Sequence, residues 1–296
     1  MNMKLKKKLE ETFIKYKFSP KPFFSQNFLI DERIVLRIVE EIAPGEDDFI
    51  VEVGAGTGIL TSHLVKKAKK VLAIEIDRDL CRILEDELGE NKNLIIMCED
   101  IKKIDLDRLF PEEKRVKIVG NLPYYFISDL LLTLAEKKCW KEMILTVQRE
   151  VAERIFAPPG SKKRGFLTLA LSLYAQTERI MDIPPQAFYP PPRVSSTVVR
   201  MKPSPQEKGE EKIILKVVKA AFSSRRKTLL NALCARFGLP RNVVEEALEK
   251  SKVPENLRAE MLKLEDFKKI ALNLKNFLKG GKQNCPSFLL SGKTEG

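Results

Sequence analysis

From Asp48 onward the chain alternates short, β-rich apolar runs with stretches of helical periodicity. Phe49–Val53, Val71–Ile76, Leu94–Cys98, Val116–Val119 and Met143–Val147 are mostly apolar, the pattern of strands covered on both faces. Between them, Ile59–Ala68, Arg78–Leu88 and Ser128–Lys137 carry apolar residues at helical spacing. This alternation predicts a parallel sheet with helices on both faces. A helix over Leu167–Tyr174 and two more strands, near Arg179–Ile183 and Ser195–Met201, complete the α/β part.

KPSPQEKGEEK, Lys202–Lys212, breaks the pattern with proline, glycine and charge and reads as a linker. Beyond it, Ile213–Leu278 has helical periodicity only, and the closing GGKQNCPSFLLSGKTEG is aperiodic. The expected organisation is a basic N-terminal extension over 1–20, an α/β domain over 21–202, an all-helical domain over 203–280 and a disordered tail over 281–296.

The 296 residues suffice for one large and one small domain, and 44% hydrophobic content can bury a core. The formal charge is +12, unevenly spread: residues 206–282 hold 18 Lys and Arg against 10 Asp and Glu. Such a balance favours a polyanionic partner, with a robust Lys/Glu-rich surface as the alternative. The five cysteines contain no CxxC pair, so neither a disulfide framework nor a structural zinc site is expected. His63 is the single histidine and is expected on the surface of the first helix after the glycine loop, which disfavours His-based catalysis. The start of the chain lacks the apolar core of a secretory signal, and FLTLALSLYA is too short to span a bilayer. A soluble, cytoplasmic protein, monomeric and without a metal, is expected.

IVEVGAGTGIL places Gly54, Gly56 and Gly58 between the first strand and its helix, where glycines allow close approach of the backbone to a ligand. A dinucleotide fingerprint would need glycine at the position of Ile59. The loop instead resembles the E/DxGxGxG loop of class I methyltransferases, which bind S-adenosylmethionine. Glu75 ends the second strand, where its carboxylate can accept from ribose hydroxyls, and Ile76 follows it. Asp100, followed by Ile101, ends the third, placed to accept from an adenine amino group. Acids at strand ends also serve as helix caps, the role read for Asp77.

The fourth strand runs into VGNLPYY. An exocyclic aromatic amine is a poor nucleophile because its lone pair is delocalised into the ring. Two acceptors holding its N–H bonds would point the lone pair at an electrophilic methyl. The Asn121 side-chain oxygen and the Leu122 carbonyl can serve, with Pro123 holding Leu122 extended and Tyr124 offering a stacking face.

NLPY resembles the Asn/Asp-x-Pro-aromatic motif in the form used by ribosomal RNA adenine dimethyltransferases. FFSQNFLID, Phe23–Asp31, is similar to that family's FGQNFL segment, which packs over the cofactor and would bring Gln26, Asn27 and Leu29 to it. AFYPPPRV resembles the family's FxPxPxV segment, implying that Phe188 faces the target base opposite Tyr124. AFSSRRKTLLNAL and NLRAEMLKLEDF look like two signatures of the KsgA/RsmA group in its helical domain. The resemblance runs from about Phe18 to Leu278.

It implies a Rossmann-like class I methyltransferase fold with a helical RNA-binding domain. The implied reaction is dimethylation of two adjacent adenosines in a hairpin loop near the 3′ end of 16S rRNA, with S-adenosylmethionine as donor. Arg225, Arg226 and Lys227 would then be phosphate contacts. Two alternatives stand beside it. One is an Erm-like methyltransferase acting on 23S rRNA; the other is a non-catalytic ribosome-assembly factor on the same fold.

Overall fold

The computed structural model describes residues 3–24, 26–110, 116–122, 127–204, 209–224 and 226–279. The chain divides into two units, Met1–Phe156 with Tyr174–Pro205, and Ala157–Leu173 with Gln206–Gly296.

The first unit is built on a seven-stranded sheet. Besides the short strand β1 (Phe28–Leu29), its strands are β2 (Phe49–Val53), β3 (Lys70–Glu75), β4 (Leu94–Cys98), β5 (Val116–Asn121), β6 (Trp140–Gln148), β7 (Ala175–Ile183) and β9 (Ser196–Pro203). Their order is β4-β3-β2-β5-β6-β9-β7. The first five are parallel, while β9 pairs antiparallel with both β6 and β7. All seven expected strands are present, because apolar runs such as Ile50–Val51 and Val71–Ile74 can be buried on both faces only inside such a sheet. Strand order reverses direction between β2 and β5, the place where α/β sheets open a crevice at their carboxyl edge.

The helices of this unit are α1 (Met3–Lys15), α2 (Glu32–Ile42), α3 (Thr61–Leu64), α4 (Arg78–Leu88), α5 (Leu106–Leu109), α6 (Ile127–Ala135) and α7 (Arg149–Ile155). Asp31 and Asp77 cap α2 and α4 through the N–H groups of Arg33 and Asp79. The expected basic extension over 1–20 is a packed part of the unit. Leu9, Phe13 and Phe18 form one cluster with Phe28, Ile30, Leu80 and Ile83. Leu9 and Phe13, one helical turn apart, are the signal that the surrounding lysines obscured.

A second, two-stranded sheet pairs β1 with β8 (Phe188–Tyr189), matching Leu29 with Phe188 and Phe28 with Tyr189. Nothing in the hydrophobic pattern marks so short a pairing.

The second unit takes α8 (Phe166–Tyr174, up to Leu173), α9 (Glu211–Ala221), α10 (Leu229–Phe237), α11 (Arg241–Lys250) and α12 (Leu264–Lys279). It differs from the expected boundary at 202, because residues 157–173 belong here. Leu167, Leu169, Ala170, Leu171 and Leu173 are all buried, so α8 has apolar residues around most of its circumference and cannot lie on a surface. The preceding loop is tied in by Arg164, whose buried guanidinium donates to the Ala157 carbonyl at 2.7 Å and to the Leu262 carbonyl at 3.0 Å. Gly160 N–H adds a bond to the Glu260 carbonyl.

Cys81 and Cys98 are joined as a disulfide, where no disulfide framework was expected. Spacing along the chain hides this pair. Helix α4 returns across the edge strand β4, bringing the two Cα atoms to 5.9 Å, within disulfide range. Among the described residues no helix is long and apolar enough to cross a membrane, and no His/Cys/Asp/Glu cluster suited to a metal is found. The tail over 281–296 lies outside the described residues.

Candidate cofactor and acceptor site

A cavity of about 400 Å³ lies at the carboxyl ends of β2, β3, β4 and β5. Gly54, Gly56, Asn27, Leu29, Glu75, Ile76, Asp100, Ile101, Asn121 and Leu122 all line it. Gly58, in the same loop, is turned toward α4. A Cβ there would meet Leu88 at 2.6 Å, and its φ of +83° is itself a glycine conformation.

Glu75 is nearly fully buried. Its Oε2 accepts from Gly56 N–H at 2.9 Å, and its Oε1 accepts from Ile76 and Asp77 N–H at 2.9 and 3.0 Å. Burial raises the pKa of this carboxyl, and the three N–H donors oppose the shift. Counting two lone pairs per oxygen, Oε1 is filled and Oε2 keeps one position for a ligand hydroxyl. Asp100 accepts from Lys102 N–H with Oδ1, capping the turn at Ile101–Lys103 while its side chain borders the cavity. Ile76 is 46% exposed at the cavity wall, a placement suited to one face of a flat heterocycle.

Asn121 terminates β5. Its Nδ2 donates to the Asn27 carbonyl at 2.9 Å, and its Oδ1 is buried without a hydrogen-bond partner among the described residues. Because a carbonyl can only accept, this bond fixes the orientation of the amide. Gly120, just before it, sits against β2, where a Cβ would collide with the Val53 carbonyl oxygen. That close approach draws Asn121 toward Gly54. Leu122 is buried, with its N–H donating to the Thr146 carbonyl at 3.2 Å. Pro123, Tyr124 and Arg225 lie outside the described residues; Arg226 and Lys227 are exposed in the helical unit.

Two expected site residues are placed differently. Gln26 borders the cavity, but its Nε2 donates to Asp77 Oδ2 and its Oε1 accepts from Lys21 N–H, both at 2.7 Å. Its polar atoms thus anchor the segment to the α4 cap and leave little for a cofactor. Phe188 does not face the cavity. It is 2% exposed and packed with Ile38, Ile183 and Val198, because the alternation of β8 turns Phe188 inward and Tyr189 outward.

Sequence reasoning also missed two wall residues. Thr57 Oγ1, in the glycine loop, is buried without a hydrogen-bond partner among the described residues. Glu52, two residues before Gly54, accepts from Thr61 Oγ1 at 2.6 Å. Burial drives its pKa up to about 8, against the Thr61 hydrogen bond and with help from the Glu75 charge. The signal for Glu52 was visible as an acid inside a strand that should be wholly apolar. His63 lies on α3 outside the cavity wall, with its pKa lowered by burial and by Lys66.

The sequence profile described as "Ribosomal RNA adenine dimethylase" matches residues 17–276. The chain belongs to the ribosomal RNA adenine dimethylase family. "Ribosomal RNA small subunit methyltransferase A" of Alkaliphilus oremlandii is 39% identical over 276 residues, covering 90% of this chain and 96% of that protein. The protein of the same name from Desulfitobacterium hafniense is 42% identical over 248 residues, 83% of this chain and 88% of its own length. In fold, the chain is similar to a dimethyladenosine transferase from Plasmodium falciparum, with TM-score 0.72, 24% identity, and coverage of 84% of this chain and 98% of that one. It is also similar to the 23S rRNA methyltransferase ErmE, with TM-score 0.65, 23% identity, and coverage of 84% and 100%.

As a dimethylase-family member the chain is a methyltransferase, and S-adenosylmethionine is its methyl donor. The cavity fits that donor. It offers a buried carboxylate at Glu75, a half-buried one at Asp100, apolar walls at Ile76 and Ile101, and the residues Thr57 and Asn121, whose Oγ1 and Oδ1 lack protein partners among the described residues.

Proposed function

We propose that this dimethylase-family chain methylates the 6-amino groups of two adjacent adenosines, twice each, in a hairpin loop near the 3′ end of 16S rRNA. Its substrate is the small ribosomal subunit or a precursor, late in assembly. The target choice is supported by relatives named for the small subunit, and by helical-unit motifs resembling the KsgA/RsmA group.

The observation that carries the chemistry is the fixed amide of Asn121. Bound S-adenosylmethionine supplies an electrophilic methyl on a sulfonium. Glu75 and Asp100 hold the ribose and adenine ends, with Ile76 and Ile101 against the heterocycle. Asn121 Oδ1, held in register by the Asn27 carbonyl, accepts one N–H of the target amine, and the Leu122 carbonyl accepts another. In the first transfer both N–H bonds are engaged and in the second the one that remains is held, and each time the nitrogen lone pair is directed out of the ring plane toward the methyl. The amine becomes acidic as it is alkylated, so no strong base is required, and positioning contributes most of the acceleration. Unstacked loop adenosines suit this chemistry because little pairing energy must be given up.

Mass spectrometry of rRNA from both subunits, after incubation with the protein and S-adenosylmethionine, tests the reading. Dimethyladenosine at two neighbouring positions near the 3′ end of 16S rRNA is expected. Modification confined to 23S rRNA would replace it with the Erm-like reading, and no modification would leave a binding factor.

A further inference from the structure

The mechanism uses no sulfur of the protein, yet a disulfide lies beside both acids of the donor cavity. Cys98 ends β4 and is followed directly by Glu99, Asp100 and Ile101 of the cavity wall. In the parallel pairing of β3 with β4 it stands opposite Glu75. Its partner Cys81, on α4, places Sγ 3.5 Å from the Glu75 main-chain oxygen. Helix α4 itself begins at the Asp77 cap, whose N–H is one of the donors to the Glu75 carboxylate. Helix, strand end and both acids therefore meet at this one covalent bond.

Strand β4 stands at one end of the seven-stranded sheet and pairs with β3. It is half-buried or exposed along its length, whereas β2 is buried from Ile50 to Val53. Such an edge opens at lower cost than the sheet interior, and a cross-link to α4 removes the open forms. Access to the two sulfurs is unequal. Cys98 is exposed and Cys81 is 8% exposed, so an external thiol reaches the Cys98 sulfur first.

We propose that Cys81 and Cys98 are a thiol–disulfide switch that sets the affinity of the cavity for S-adenosylmethionine, the disulfide being the tighter-binding state. A low-molecular-weight thiolate attacks the Cys98 sulfur, the S–S bond breaks, and Cys81 leaves as a thiolate that takes a proton from water. A second thiol then releases Cys98 from the mixed disulfide. Two thiols thus become one external disulfide, and the protein gains two electrons and two protons. The new Cys81 thiol can donate to the Glu75 carbonyl that its sulfur already faces. With the tie gone, the strand end carrying Asp100 spends less time in the binding geometry, and the apparent affinity falls by that fraction. This rests on Glu75 and Asp100 holding the donor.

The test uses the full chain equilibrated with oxidised or with reduced glutathione, and alkylation followed by mass spectrometry counts the thiols in each. Calorimetric titration with S-adenosylmethionine should give binding at least about fivefold weaker in the reduced chain, the low end of coupling between linked sites. Cys81→Ser/Cys98→Ser should match the reduced chain and ignore the redox state, although Cys139 and Cys234 remain as thiols. Saturating donor should also draw the unaltered chain toward the disulfide in a mixed glutathione buffer, since a ligand populates the state it prefers. That readout needs neither a variant nor turnover, so a misfolded double variant does not cloud it. Equal affinity in both states, or failure of the oxidised chain to form the Cys81–Cys98 bond, would overturn the proposal. Glu75→Ala is titrated alongside. If it binds the donor normally, the reading of the ribose site fails. If it binds weakly while the two redox states of the unaltered chain bind alike, only the switch fails.

Discussion

The side-chain nitrogen of Asn121 donates to the main-chain oxygen of Asn27 at 2.9 Å, a bond joining residues 94 positions apart. It leaves Oδ1 as a buried acceptor without a partner among the described residues. Asn121→Ala removes both the tether and the acceptor. Methyl transfer should fall by about 100-fold or more, the scale of a misplaced reacting group, with cofactor affinity much less affected. Single-turnover methylation beside calorimetric titration separates the two effects. A variant with normal turnover would sink the proposed role of this amide.

Glu75 has a structural task that its position at a strand end did not reveal. Its carboxylate satisfies the N–H groups of Gly56, Ile76 and Asp77. Glu75→Ala should weaken S-adenosylmethionine binding by about 1–3 kcal/mol and also lower the unfolding midpoint, since buried donors lose their acceptor. Glu75→Gln, which retains one acceptor oxygen, should recover part of the stability. Equal cofactor affinity in all three proteins would mean the ribose site lies elsewhere.

Glu52 gives a pH dependence with a definite sign. Its carboxyl titrates at about 8 in the fold against 4.5 ordinarily, so between those values the folded chain holds a proton that the unfolded chain releases. This group's contribution is complete below about 4.5 and is lost as pH rises toward about 8, by at most about 1.4 kcal/mol per pH unit. Glu52→Gln, neutral throughout, should be less sensitive over that window. Urea midpoints near pH 5 and pH 8 will show whether the gap between the two proteins shifts toward the variant at the higher pH.

Phe188 behaves as a core residue in this fold. Phe188→Ala should cost about 3–5 kcal/mol of stability, the usual penalty for emptying a buried aromatic site. Denaturant unfolding measures it directly. A loss below about 1 kcal/mol, together with weaker acceptor binding, would restore the base-stacking role implied by the family resemblance.

The sheet was legible because its strands must be apolar on both faces; Phe49–Val53 and Leu94–Cys98 are observed with the expected bounds. The cavity acids were legible because they follow those runs at the carboxyl edge. What the pattern concealed depends on which partner a side chain finds. Gln26, which borders the cavity, also ties its segment to Asp77 and to the Lys21 N–H. The α8 helix looks like one more element of the α/β domain, yet Arg164 and the buried faces of Leu167 and Leu171 place it with the helical unit. A chain cut at Lys202 would therefore strand an apolar helix, and its solubility should suffer even though the glycine loop, Glu75 and Asn121 are retained.

The pairing of Leu29 with Phe188 joins a cavity-wall residue on the donor side to the segment that the family resemblance sets on the acceptor side. The two ligands are then thermodynamically answerable to one another. Whatever factor the donor adds to RNA affinity by settling β1, the RNA must return to donor affinity by settling β8, since coupling free energies are reciprocal. A donor lacking its methyl would couple to RNA binding by a reciprocal factor of its own.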